Sequence, residues 1–419
     1  MVIANKEELT RLVEETVAQV PITDIHTHLF TPEFGPLLLR GIDELLTYHY
    51  LVAEVFRWIE MPYEEFWRLS KKEQADLIWR VLFLEHSPVS EACRGVLTVL
   101  KAFGLDPGAR DLEEYRAFFA ALPVETHVER VLQLSGVARL VMTNDPFAPE
   151  ERAVWLDEYR GDPRFCAALR LDALLNDWEG ACRKLGEWGY KVASALDPAA
   201  MAEVRRFLND WIKRMNPVYL AVSLPPDFLW PEDSARARLI AEAVLPLAAE
   251  HGLPFAMMIG VKKLVNPGLR LAGDSVGKAG IETVERLCAS FPRNKFMLTM
   301  LSRENQHEGC VVARKFGNLL PFGCWWFMNN PSLVEETTRM RVELLGLSFV
   351  PQHSDARVLD QLIYKWAHSR KNIARVLSEK YADLWETGWR PTAEEIRRDV
   401  AGLFGENFWR FLGYGGKAA

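Results

Sequence analysis

No apolar run in this 419-residue chain approaches the length that spans a bilayer. The amino-terminal stretch has neither the basic segment nor the apolar core of a secretory leader. Residues 5–20 are instead charged and periodic, with Leu9, Leu12, Val13, Val17 and Val20 on one helical stripe. Cysteine is sparse: Cys93, Cys166, Cys182, Cys288, Cys310 and Cys324 show no Cys-x-x-Cys pair and no framework spacing. That excludes a disulfide scaffold and points to reduced thiols in a cytoplasmic protein. Basic charge is in deficit, 50 Lys and Arg against 57 Asp and Glu, and the net charge of −7 leaves no footprint for nucleic acid or for an anionic membrane surface. No Gly-x-Gly-x-x-Gly turn follows any strand-like run, which sets aside a dinucleotide-binding open sheet.

What is present is a pattern of alternation. β-rich apolar runs fall at 22–29, 138–143, 165–171, 218–224, 255–259, 295–301, 321–327 and 348–353, and most of the linkers between them carry helical periodicity. Eight strands alternating with helices predict a (β/α)8 TIM barrel. The long helical stretch after the first strand reads as an insertion, because that strand has no partner within it. The organisation expected is an N-terminal helix and first strand (1–30), a helical insertion (31–137), the rest of the barrel (138–377) and a C-terminal helical extension (378–419). The apolar stretch 403–412 suits an interface between copies as well as a core, so a homo-oligomer stays open.

Chemistry in such barrels sits at the C-terminal ends of the strands. His26 and His28 close the first run, and strand alternation predicts that Asp24, His26 and His28 share one face, the two imidazoles about 7 Å apart along the backbone. The eighth strand lies beside the first in a closed barrel, which brings Asp355 within reach as a third ligand. Two histidines and a carboxylate suit one divalent ion of the zinc, manganese or iron kind. Asp355 also fits the N-cap of a following helix.

Asp24-Ile-His-Thr-His-Leu29 together with His353-Ser-Asp-Ala-Arg357 resembles the amidohydrolase superfamily. Within it, Asp43-Glu-Leu-Leu-Thr-Tyr-His-Tyr-Leu-Val52, Arg57-Trp58, Met142-Thr-Asn-Asp-Pro-Phe147, Ala168-Leu-Arg-Leu-Asp172, Ser302-Arg-Glu-Asn-Gln-His307 and Cys324-Trp-Trp-Phe327 are similar to a short, divergent bacterial branch of the uronate isomerases. Binuclear members of the superfamily carry a lysine near the end of strand four and histidines after strands five and six. The corresponding ends here are Val222-Ser-Leu224, Met258-Ile-Gly260 and Leu301-Ser302, so the resemblance implies a single metal, zinc first, and a hexuronate substrate.

That reaction moves a proton between adjacent carbons through an enediol. The groups that fit it are Asp355 as base, Tyr50 with His49 beside it as proton carrier, and Arg357 as counter-charge to the oxygens. Arg170 and then Arg303 are candidates for the substrate carboxylate. Trp326 is favoured over Trp325 as the wall of the sugar pocket, two adjacent strand residues facing opposite ways. Two other readings stay open at this point. One is a mononuclear metal hydrolase or decarboxylase, and the other a barrel that binds a metal or sugar acid without turning it over.

Overall fold

The computed structural model describes residues 3–414, so the first two positions of the N-terminal segment and the last five of the C-terminal extension lie outside the described residues. Strands β1 (Ile22–Thr27), β2 (Val137–Asn144), β3 (Phe165–Arg170), β4 (Leu220–Leu224), β5 (Phe255–Ile259), β6 (Phe296–Met300) and β7 (Leu319–Pro321) form one sheet, every neighbour pair parallel and in chain order. The eighth position is filled without a regular ladder. Val350 bridges Phe322 on one side, while on the other Asp355 N–H donates to His26 O at 3.1 Å and His28 N–H to Ala356 O at 2.8 Å. The ring closes as a TIM-type barrel with helices outside it.

The last two predicted strands are therefore corrected. The run 348–353 contributes one bridge, since Pro351 has no N–H to give and Asp355 turns into the left-handed region at φ 52°. Strand β7 lies earlier than the predicted 321–327, and Trp326–Met328 is a 3-10 turn with Trp326 at φ 47°. Strand alternation consequently says nothing about Trp325 and Trp326. β1 departs from simple alternation too. Asp24 pairs with Leu140 and Thr27 with Met142, three residues advancing against two. This bulge re-aims the side chains. Asp24 turns to the outer helix, accepting from Trp366 Nε1 at 2.8 Å and Ser354 N at 3.0 Å, while His26 faces Tyr219.

Inside the ring, Ile25, Val141, Ala221, Met297 and Val350 belong to one apolar cluster, and alternate residues such as Met142, Val222 and Met257 pack outward under the helices. The lower end is stoppered by the chain's own C-terminal stretch. Phe408, Trp409 and Leu412 are buried in the interior cluster, and Trp409 Nε1 donates to Thr23 Oγ1 at 3.1 Å. The apolar stretch 403–412 is thus core.

Between β1 and β2 run short helices started by their own side chains. Ser70 and Glu73 form a reciprocal capping box, Ser90 Oγ accepts from Cys93 N, and Asp111 accepts from Glu113 and Glu114. The helix Gln361–Glu386 runs through the expected boundary at 377 between barrel and C-terminal extension, because no Gly or Pro interrupts the chain before Gly388. It packs against the N-terminal helix Lys6–Gln19. Among the described residues no helix is long and apolar enough to cross a membrane.

Candidate metal centre and active site

The end of β1 and the segment that completes the ring bring His26, His28 and Asp355 together, their ligand atoms all within 4.8 Å of one another. Asp355 Oδ1 lies 3.7 Å from His26 Nε2 and 3.3 Å from His28 Nε2. Two ligands each about 2.05 Å from one ion at a tetrahedral angle stand roughly 3.3 Å apart, so the spacing is compatible with one ion held between them. Asp355 is not a helix cap, since the following helix begins after Asp360.

The tautomers agree. Tyr219 Oη donates to Ile25 O at 2.8 Å, so towards His26 Nδ1, 3.2 Å away, it can only accept. Thr143 Oγ1 likewise donates to Thr27 O at 2.8 Å and accepts from His28 Nδ1 at 3.0 Å. Both histidines therefore carry their proton on Nδ1 and turn a bare Nε2 lone pair towards Asp355. Among the described residues neither His26 Nε2 nor Asp355 Oδ1 has a hydrogen-bond partner. Orphaned buried acceptors of this kind cost free energy unless something positive sits among them. Burial, with a contribution from His28, lowers His26 to about 3, and burial with Arg357 and Arg170 holds His28 well below the usual imidazole value. Neutral imidazoles are what a metal requires, and the donor set fits one divalent ion.

The helix His49–Val55 places the aromatic group opposite. The rings of Tyr48, His49 and Tyr50 pack within 4.9 Å of one another, and His49 is edge-on to Trp326 at 5.4 Å. Their polar atoms are buried and without partners among the described residues: both His49 nitrogens, the Tyr48 and Tyr50 hydroxyls and Trp326 Nε1. Burial pushes Tyr50 well above the ordinary phenol value and His49 well below the ordinary imidazole value, so both are neutral near pH 7. Arg357 lies close enough to act on Tyr48, His49 and His28.

The arginines proposed for the substrate carboxylate differ in setting. Arg170 ends β3 and pairs through Nε and Nη2 with Asp172, each at 2.9 Å. Burial opposes its charge, but Asp172, Asp145 and Glu151 outweigh this and push its pKa up. Arg303 is 61% exposed and paired with Glu336 at 3.0 Å, outside this cluster.

The sequence reading missed several residues here. His353 is fully buried, its ring 5.2 Å from that of His26, with both nitrogens unpartnered among the described residues. Lys365 is buried behind the site, donates to Ser354 O at 2.6 Å and lies 5.5 Å from the Tyr50 ring, with burial lowering it to about 8. The available signal was a lysine on the face of a helix that also carries Leu362 and Trp366. For Tyr219 and Thr143 no sequence signal exists without the register of the strands.

Neither a family sequence model nor a curated protein sequence matches the chain. Its structure is similar to that of a uronate isomerase from Bacillus halodurans C-125, with a TM-score of 0.97, 60% identity, and 98% of this chain and 97% of that chain covered. A uronate isomerase from Thermotoga maritima (TM-score 0.75, 18% identity, 98% and 100% covered) and a glucuronate isomerase from Caulobacter crescentus (0.77, 15%, 99% and 95%) share the fold. With so high an identity over nearly the whole of both molecules, the chain belongs to the uronate isomerase family.

Proposed function

We propose that the protein is a uronate isomerase, an aldose–ketose isomerase that interconverts D-glucuronate and D-fructuronate, with D-galacturonate and D-tagaturonate as the second pair. The whole-length likeness to the Bacillus enzyme carries this reading. One divalent ion, zinc first, would be held by His26, His28 and Asp355, and supplies a positive centre that fixes and polarises a sugar oxygen.

The rest of the chemistry belongs to side chains. The hydrogen on C2 of the aldose must leave as a proton and one must arrive at C1, while the oxygens exchange theirs. The Asp355 carboxylate is the base candidate. Tyr50, kept protonated by burial, can give a proton to one oxygen and take one from the next, with neutral His49 beside it. Arg357 lowers the cost of negative charge on those oxygens. Trp326 Nε1 offers a donor to a sugar hydroxyl. Arg170, although paired with Asp172, stays the better placed of the two candidates for the substrate carboxylate, and Arg303 is its alternative. Six free cysteines fit the reducing cytoplasm.

The test is ketose formation from D-glucuronate and D-galacturonate before metal removal, after it, and after readdition, with Tyr50→Phe and Arg357→Lys in parallel. Both variants should turn over roughly 100-fold more slowly with bound metal unchanged. Metal-loaded protein that forms no ketose sinks the isomerase reading, and variants with normal turnover sink the two assignments.

A further inference from the structure

We infer that the buried pair His127 and Asp360 is a positioning device for the reaction, holding the Tyr48–Tyr50 group in register with the loop that carries Asp355 and Arg357. The inference rests on the isomerase reading for what those groups do. The two sets come from opposite ends of the chain, so their register depends on whatever joins the segments that bear them. The structure places that joint at Asp360. Its Oδ2 accepts from Gly41 N at 2.7 Å, and Leu359 N donates to Leu39 O at 2.8 Å beside it. Gly41, at φ 89°, starts the helix Ile42–Leu46, and the next helix opens at His49. Asp360 ends the loop that began with Asp355.

The other carboxylate oxygen is taken by a third element. His127, on the helix Val124–Ser135, lies with Nε2 2.6 Å from Asp360 Oδ1, and both residues are 0% exposed. The polarity of this chain of bonds is fixed. Arg40 Nη1 stands 3.3 Å from His127 Nδ1, and a guanidinium can only donate, so Nδ1 accepts and Nε2–H donates to Asp360. Phe119 stacks on the imidazole at 5.5 Å and Phe103 meets its edge at 5.6 Å, which locks the ring. An ordinary packing contact needs no such directional chain of buried polar groups. One that fixes two catalytic segments to a fraction of an ångström does.

The experiment compares metal-loaded wild type, His127→Leu and His127→Gln in kcat, KM, bound metal and amide exchange of residues 41–55. Leucine keeps apolar volume between the two phenylalanines but gives Asp360 no donor. Glutamine offers an acceptor to Arg40 and an N–H to Asp360. The leucine variant should lose roughly 10- to 100-fold in kcat, with KM and bound metal within about twofold and faster exchange across 41–55. Glutamine should restore most of kcat. A folded, metal-loaded leucine variant with wild-type kcat overturns the proposal, and so does a glutamine variant as slow as the leucine one. If His127→Leu does not fold, Asp360→Asn is read in the same way, because its amide sets an N–H against a donor whichever way it turns. Amide exchange needs no turnover. Were wild type inactive on uronates, faster exchange would uphold the clamp while the isomerase reading alone failed, and unchanged exchange would sink the clamp itself.

Discussion

His26 and His28 owe their state to hydroxyls that are already committed elsewhere. Because Tyr219 and Thr143 each spend their single proton on a backbone carbonyl, each can only receive a proton from its histidine. Tyr219→Phe or Thr143→Val should therefore weaken divalent-ion affinity by roughly 10- to 100-fold, read by chelator competition, while the circular dichroism of the fold is unchanged. Affinity equal to wild type in both variants would show that the tautomers are set in some other way. The convergence of His26, His28 and Asp355 was legible in the sequence, since His-x-His at one strand end and Asp at the neighbouring strand end need only chain order to be brought together. Tyr219 and Thr143 were not, because which residue of a neighbouring strand faces a histidine depends on a bulge at Ile25–His26 that no periodicity announces.

At the level of elements, strands β1 to β6 were readable because apolar β-branched and aromatic runs bounded by turns are what a doubly covered parallel strand requires. The last two positions were misread for a definite reason: apolar runs such as Phe322–Phe327 look the same whether they pair in a ladder or fold into a 3-10 turn. The turn after β7 depends on Gly323. Its φ is +65°, and a Cβ there would lie 1.7 Å from His353 Nδ1. Gly323→Ala should cost roughly 2–5 kcal/mol, strain and overpacking together, and should displace His353, whose ring packs 5.2 Å from that of His26. A thermal midpoint equal to wild type would contradict this. The C-terminal apolar stretch was ambiguous in sequence because a stopper under a barrel and an interface between copies have the same composition.

For the whole molecule, the concentration of neutral imidazoles at one end of the barrel gives the metal-free protein a pH dependence of defined sign. His26, at about 3, and His28, His49 and His353, held well below the usual value by burial, stay unprotonated in the fold, whereas the unfolded chain protonates them near pH 6.5. Between pH 6.5 and 3 the unfolded state thus binds more protons, and stability falls on acidification by up to about 1.4 kcal/mol per pH unit for each imidazole. Asp24, raised to about 6, and Glu151, raised to about 7, act in the opposite direction, because the fold keeps protons that the unfolded chain has released. Asp145, raised by burial, acts with them. Four imidazoles outweigh three carboxyls, so urea midpoints in chelator should drop from pH 7 to pH 5. A midpoint that rises would refute the balance. The closure of the ring between His26 and Asp355 also sets an order of events during synthesis. Most of the chain emerges from the ribosome between His26 and Asp355, and the stopper beneath the barrel emerges later still. An ion held by His26, His28 and Asp355 would therefore meet a nearly finished protein, and a nascent chain stalled anywhere in the barrel would hold two histidines and nothing to close them against.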